Sequence, residues 1–299
     1  MLNTTIQNPS RGAFQAWKGL FTLGTSLFIG LGLCIFSVIC YGFLFFEYNS
    51  FNTSELSALL NAPSTLAFQM LLINTAYIFS LIWLHYRYKL NYKTSLGLQK
   101  TKPINLVIAF FMVVSVSILV DQLLLSLSDG PLSFLSYTNL AGNLNLAYVL
   151  GNLNGISVFS FSLLLILTIF SSPLLEELFF RGYLWTGLRN KFGFLQTLFI
   201  SSFFFAIIHL DILQGLTAFF IGLIYGFIVE KTKSVWPAVA AHIGVNLFTY
   251  LLSILGVAYG LDGADYPVNL IVFCAVVLLL GFLFFSRKNS ILDLIQKQS

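Results

Sequence analysis

Long apolar stretches decide what this chain can fold into. Hydropathy rises near residues 19–46, 65–85, 104–126, 157–178, 195–210, 213–230, 236–255 and 267–285, and a helix needs about 20 apolar residues to cross about 30 Å of hydrocarbon. With 58% of 299 residues hydrophobic and only 9% charged, a soluble core cannot absorb this much apolar surface. The expected fold is therefore all-α, a polytopic bundle of about eight transmembrane helices embedded in the lipid bilayer. No Pro/Gly/Ser linker or repeat divides the sequence, so residues 1–299 read as one domain. The first apolar run is too long for a secretory signal and lacks a small-residue cleavage pattern, so it is expected to stay as a helix.

Charge orients this bundle. Arg11 and Lys18 precede the first span, Arg87, Lys89, Lys93, Lys100 and Lys102 follow the second, and Arg189 and Lys191 follow the fourth. Lys231 and Lys233 follow the sixth, and Arg287, Lys288 and Lys297 lie in the tail. The opposite loops, 47–64, 127–156 and 256–266, hold no Lys or Arg but carry Glu47, Glu55, Asp129, Asp262 and Asp265. Because Lys and Arg gather in short cytoplasmic loops, both termini are expected in the cytoplasm, with the protein in the plasma membrane. The net charge of +4 belongs to loops facing anionic lipid. No nucleic acid partner is expected, since no soluble face gathers basic and aromatic residues. Cys34, Cys40 and Cys274 lie in apolar spans without metal-knuckle spacing and read as packing residues. Oligomeric state is not legible.

Within this apolar chain, three short segments carry groups that hydrocarbon rejects: Glu176, Glu177 and Arg181; Phe205 and His209; His242 and Asn246. Such residues in membrane spans mark a functional site by default. Ser171-Ser172-Pro173 opens the first segment, and Pro173 either kinks the helix or starts a new turn that Ser172 caps. Glu177 and Arg181 are i,i+4 partners on one face, while Glu176 points about 100° away, free to face a cavity. The bland alternatives are a buried ion pair that sets register, a satisfied core histidine at position 209, and interhelical hydrogen bonding by His242 and Asn246.

Depth argues for convergence. The midpoint between Glu176 and His209 falls at Phe192-Gly193, in the basic turn 189–193. Each arm of that hairpin has about 16 residues, roughly 24 Å, so the two groups reach equal depth. His242 begins only a few residues beyond Trp236-Pro237 and is expected shallower, at about 10 to 15 Å. Tilt is needed to bring it level.

These motifs, EExxxR, FxxxH and HxxxN in order, resemble those of the CPBP intramembrane endopeptidases, a family that includes CAAX prenyl proteases and bacteriocin-processing or self-immunity proteins. The resemblance covers about residues 157–255. It implies peptide-bond hydrolysis in a membrane-associated protein or peptide, with Glu176 and His209 activating water and His242 and Asn246 stabilising the oxyanion. Glu177, Arg181 and Phe205 would support them. The active site is expected to open toward the cytoplasm. Zinc stays open as a cofactor: Glu176, His209 and His242 are a two-histidine, one-carboxylate set, yet there is no HExxH, and the same residues suffice without metal.

Two other classes compete. A proton-coupled transporter would use Glu176, Glu177, the histidines and Asp121 as a relay, but only one broken helix is visible where paired breaks are the rule. A non-catalytic immunity or scaffold protein would bind a membrane peptide without cleaving it. Among the remaining polar groups, His85 and Asp121 read as interfacial, Asp211 as a helix terminator, and Gly222-xxx-Gly226 as a site of internal helix packing.

Overall fold

The computed structural model describes residues 16–29, 32, 62–128, 158–259 and 266–296. Cys34, Cys40, the later part of the first expected span and the acidic loops at 129–156 and 260–265 lie outside them. All regular structure among the described residues is helical: α1 (16–29), α2 (Pro63–Tyr88), α3 (Tyr92–Ser95), α4 (Pro103–Ser128), α5 (Val158–Arg189), α6 (Phe194–Ile207), α7 (Ile212–Thr232), α8 (Trp236–Tyr259) and α9 (Val268–Gln296).

Local chemistry sets the boundaries. Pro63 starts α2, where its missing N–H costs nothing, and Lys89 ends it in the left-handed region at φ 51°. The Asn91 side chain accepts from Thr94 N to cap α3, and Asp211 accepts from Gln214 N at 2.7 Å to cap α7. Asp211, expected to terminate the fifth span, instead starts the next helix, since α6 already ends at Ile207. At the start of α6 the Gln196 side chain reaches back to Gly193 N.

Among the described residues five helices are long and apolar enough to cross a membrane: α2, α4, α5, α7 and α9. Helix α6, at 14 residues, is shorter. Its rise of about 21 Å stops short of the far side of a bilayer. Large apolar side chains cover the outside of the bundle, among them Phe199, Phe203, Val272, Phe273, Leu279 and Leu280. A belt of this size on a monomer is a lipid-facing surface. This is an all-α integral membrane bundle, as its hydropathy predicts.

Helix α4 runs through the middle, packed on α7, α8 and α9, while α6 pairs with α7 and α2 lies against α5. Small residues permit the closest approaches. A side chain at Gly226 would strike Leu198 and Trp185, and one at Gly222 would lie 2.8 Å from Arg181 Nη2. Both glycines therefore serve packing inside the bundle. At the basic end Arg189 forms a two-pronged pair with Glu230, 3.2 Å from Nε and 3.0 Å from Nη2, tying the end of α5 to the end of α7.

Candidate active site

Helix α5 carries the first motif, and its backbone explains the geometry. Pro173 was expected either to kink the span or to begin a new helix with Ser172 as its cap. Ser172 is no cap: it lies in the helical region, and the chain stays helical from 158 to 189. Instead the helix widens before the proline. Ser172 N–H donates five residues back to Leu167 O, in a π turn over Leu167–Ser171. In that register Thr168 O would receive the N–H of residue 173, which proline does not have. Asn246 Nδ2 supplies the missing donor at 3.0 Å. A second wide turn over Leu178–Leu184 follows the glutamates.

Three side chains thus meet a proline-broken segment one turn before the carboxylates. The Ser171 hydroxyl donates to Asn74 Oδ1 at 2.6 Å, and Asn74 Nδ2 donates to the Ser172 hydroxyl at 2.8 Å. Thr168 Oγ1 donates to Leu164 O and lies 3.1 Å from the Tyr250 hydroxyl.

Beyond the break, Glu177 and Arg181 are both fully buried and pair at 3.4 Å, as their spacing predicts. The same oxygen of Glu177 lies 3.1 Å from His242 Nδ1. His242 therefore stands between the two glutamates, since its Nε2 is 3.9 Å from Glu176 Oε2. An anionic Glu177 can only accept, so Nδ1 carries the proton and Nε2 is turned toward Glu176. Glu177 does more than hold the arginine.

Aromatic rings enclose the cluster. The Arg181 guanidinium lies 4.2 Å from the Phe205 ring centroid and 5.2 Å from that of Tyr225, and Tyr225 stacks on His242 at 5.2 Å. Phe205 is the shared wall: the His209 and His242 rings stand edge-on to it with centroids 5.1 and 5.8 Å away. The phenol oxygens of Tyr77 and Tyr225 are buried here without a protein hydrogen-bond partner.

His209 sits in the turn that ends α6 early. Leu210, next to it, adopts φ 55°, a conformation that L residues with large side chains rarely take. His209 Nδ1 is 2.8 Å from Phe205 O. A carbonyl only accepts, so Nδ1 donates and Nε2 keeps its lone pair. The hydrogen bond of His209 goes to its own helix, not to Glu176.

The depth problem posed by the sequence has a structural answer. His242 and Glu177 touch, although only six residues separate His242 from the start of α8. That start is itself sunk in the protein: Ser234 and Val235 are fully buried beneath the loop after α3, through Ser234 Oγ to Gln99 O at 2.6 Å and Val235 N to Gly97 O at 2.9 Å. The short run from Trp236 to His242 therefore suffices to bring the imidazole onto Glu177.

Zinc needs at least three ligand atoms about 2 Å from one point. Among the described residues no three His, Cys, Asp or Glu side chains converge in that way. As arranged, Glu176, His209 and His242 do not form the three-ligand set.

Of the remaining sequence expectations, Cys274 is buried and free, as a packing residue should be. His85 stacks face to face on Tyr92 at 3.9 Å, at the end of α2. Sequence reasoning passed over Asn74, Thr168, Tyr77 and Tyr225. Asn74 carried the clearest signal, as a carboxamide in the middle of an otherwise apolar span.

Fold and site together define a class: an integral membrane bundle with a buried carboxylate, imidazole and guanidinium cluster built across α5, α6 and α8. Residues 158–248, which hold all seven motif residues, match the family described as "Type II CAAX prenyl endopeptidase Rce1-like". The chain is also similar to a Bacillus subtilis (strain 168) protein named "Putative membrane peptidase YdiL", 29% identical over 110 residues. That match spans 37% of this chain and 45% of the relative, so the chain covers less than half of the relative's length. These matches bear out the resemblance to the CPBP endopeptidases. No solved structure matches the chain.

Proposed function

We propose that this protein is an intramembrane endopeptidase that hydrolyses a peptide bond in a membrane-associated protein or peptide. One observation carries the reading: His242 is held by Glu177 through Nδ1 and turns Nε2 toward Glu176, so an imidazole and a second carboxylate face one another in a water-poor interior. A structural ion pair alone needs Glu177 and Arg181 but gives no place to Glu176. The family match across these residues supports the same conclusion.

In the proposed reaction Glu176 takes a proton from water while His209, its Nε2 free to accept, orients the second hydrogen. The hydroxide adds to the peptide carbonyl. Negative charge gathers on the carbonyl oxygen, opposite the second N–H of Asn246 and the Nε2–H of His242, whose ring enters the reaction as an imidazolium with a proton on each nitrogen. Glu177 balances the imidazolium through Nδ1, and Arg181 balances Glu177 in turn. Breakdown returns the proton from Glu176 to the leaving amine, giving one carboxylate and one amine product. Phe205 separates the two imidazoles and keeps the pocket dry, which strengthens each of these interactions. None of these steps calls on a metal.

The Lys/Arg-rich loops support an orientation in which both termini and the mouth of the site face the cytoplasm at the plasma membrane, with α6 carrying His209 part-way across from that side. The test uses purified protein in lipid, offered membrane peptides and a prenylated C-terminal reporter. Wild type cleaves, while Glu176→Ala and His209→Ala do not, with both variants folded. Ion flux across proteoliposomes without cleavage would replace this reading with the transporter.

A further inference from the structure

Asn74 lies in α2, far in sequence from the matched region 158–248, yet it is 2% exposed and spends its carboxamide on the broken segment of α5. Oδ1 accepts from the Ser171 hydroxyl at 2.6 Å, and Nδ2 donates to the Ser172 hydroxyl at 2.8 Å and to Met70 O at 2.7 Å. A carboxamide offers two donor hydrogens and one acceptor oxygen, and all three are used. Leucine has nearly the same shape and satisfies none of them.

Position gives this clamp its meaning. Ser171 and Ser172 immediately precede Pro173, where the helix has just passed through a π turn and has no proline N–H to tie it back. Glu176 follows one turn later. The helix could pivot at the proline, and two tethers fix the part that leads into it: Asn246 on the Thr168 carbonyl and Asn74 on the serine pair. Asn246 acts from α8 and Asn74 from α2, so the segment is gripped from two separate helices. Arg181 and Glu177 fix the later turn. Without Asn74, no described hydrogen bond from α2 would reach this segment, and α2 would hold it only by packing, as Tyr77 does on Phe179 and Phe180.

We infer that Asn74 is a positioning residue for Glu176: it fixes the pitch of α5 at Pro173 and so holds the base carboxylate opposite His242 Nε2. The role rests on the proposed proteolysis for its catalytic consequence, while the clamp itself is readable without it.

The experiment compares wild type, Asn74→Leu, Asn74→Asp and the pair Ser171→Ala/Ser172→Ala in the full chain in lipid nanodiscs. Amide exchange over 169–177 is followed by mass spectrometry, alongside kcat and KM for membrane-peptide cleavage. Asn74→Leu is expected to speed exchange over 169–177 at least tenfold, leave α7 and α9 unchanged, and lower kcat by roughly ten- to a hundredfold with KM within about twofold, as a displaced base should. Asn74→Asp keeps the acceptor for Ser171 but loses the donors, and is expected to fall between. If Asn74→Leu fails to fold, the serine pair, which leaves Asn74 bonded to Met70 O, must show the same exchange and kcat pattern. A folded Asn74→Leu or serine pair with wild-type exchange and kcat overturns the inference. Faster exchange in a protein whose wild type cleaves no peptide leaves the clamp standing and removes the protease reading instead; a rise in KM at constant kcat overturns the positioning role.

Discussion

Replacing Arg181 by methionine keeps most of the apolar stem and deletes the guanidinium that faces Glu177 inside the bundle. The two charges are 3.4 Å apart with no solvent exposure on either side chain. At an effective dielectric of about 20 their attraction is about 5 kcal/mol, and most of it offsets the cost of having taken both ions out of water. Arg181→Met alone therefore strands an anion, at a cost of roughly 3 to 5 kcal/mol. Glu177→Gln alone strands the cation, although the Phe205 ring 4.2 Å below it recovers about 1 to 2 kcal/mol. The double variant strands neither charge, and a glutamine oxygen still accepts from His242 Nδ1–H. It is expected within about 2 kcal/mol of wild type, more stable than Arg181→Met itself, with a coupling energy of about 2 kcal/mol or more. Reversible unfolding of the four proteins by SDS titration from mixed micelles reads this directly. Additivity to within about 0.5 kcal/mol would show that the two side chains do not share one buried electrostatic unit, and the account of Glu177 as the hub between Arg181 and His242 would fall with it.

Four further outcomes follow from the same geometry. Gly222→Ala puts a methyl group 2.8 Å from Arg181 Nη2 and 3.2 Å from Ser202, and should cost roughly 1 to 3 kcal/mol in the same titration; an unchanged midpoint refutes the close approach of α7 to the cluster. Gly226→Ala should destabilise similarly through Trp185 and Leu198 while leaving the sedimentation behaviour of the detergent-solubilised protein unaltered, because this pair of glycines faces inward. Asn246→Ala should lower stability by about 1 to 3 kcal/mol besides impairing cleavage, since Thr168 O loses the donor that Pro173 cannot provide; loss of activity at full stability would mean that the carbonyl is satisfied in another way. Exhaustive chelation should leave cleavage unchanged, because the three candidate ligands do not converge; loss on chelation with recovery on zinc addition would show that the site rearranges around a metal.

Helix existence was legible because hydrophobic runs of membrane length have one stable outcome in lipid, and the Glu177–Arg181 pair because i,i+4 spacing on a helix leaves little choice. Two features turn on contacts that a single helix cannot reveal. Of the two outcomes open at Pro173, a kink or a new turn capped by Ser172, the cap does not form: the backbone widens and other helices supply the donors. His242 meets Glu177 although α8 starts only six residues earlier, and the start of α8 at Ser234 and Val235 is buried under Gly97 and Gln99. The double use of Glu177 was illegible as well: whether one carboxylate serves both an arginine and a histidine depends on the α5–α8 crossing, which side-chain periodicity does not encode. Asn74 could have been noticed, since a buried carboxamide in an apolar span must find partners.

Pro173 connects these observations causally. A regular α-helix through residues 164–181 would satisfy its own carbonyls and would need nothing from α2 or α8. The proline removes one donor and, with the π turn before it, leaves Thr168 O to be paired from outside, while the serine hydroxyls beside it bond to Asn74. Those pairings require α8 and α2 to approach α5 at the level of the break, since an unpaired carbonyl in hydrocarbon costs several kcal/mol. Helix α8 approaching there brings His242, one turn before Asn246, onto the two glutamates one turn beyond the proline. The backbone defect thus selects the helix crossing, and the crossing assembles the site. A Pro173→Ala variant discriminates: if the defect organises the site, alanine restores the α5 ladder, weakens the stabilising effect of Asn246 to under about 0.5 kcal/mol in a double-mutant cycle, and lowers cleavage although the helix itself is improved. An Asn246 contribution that persists undiminished in Pro173→Ala would mean that the carboxamide is held for the reaction alone and that the proline is incidental.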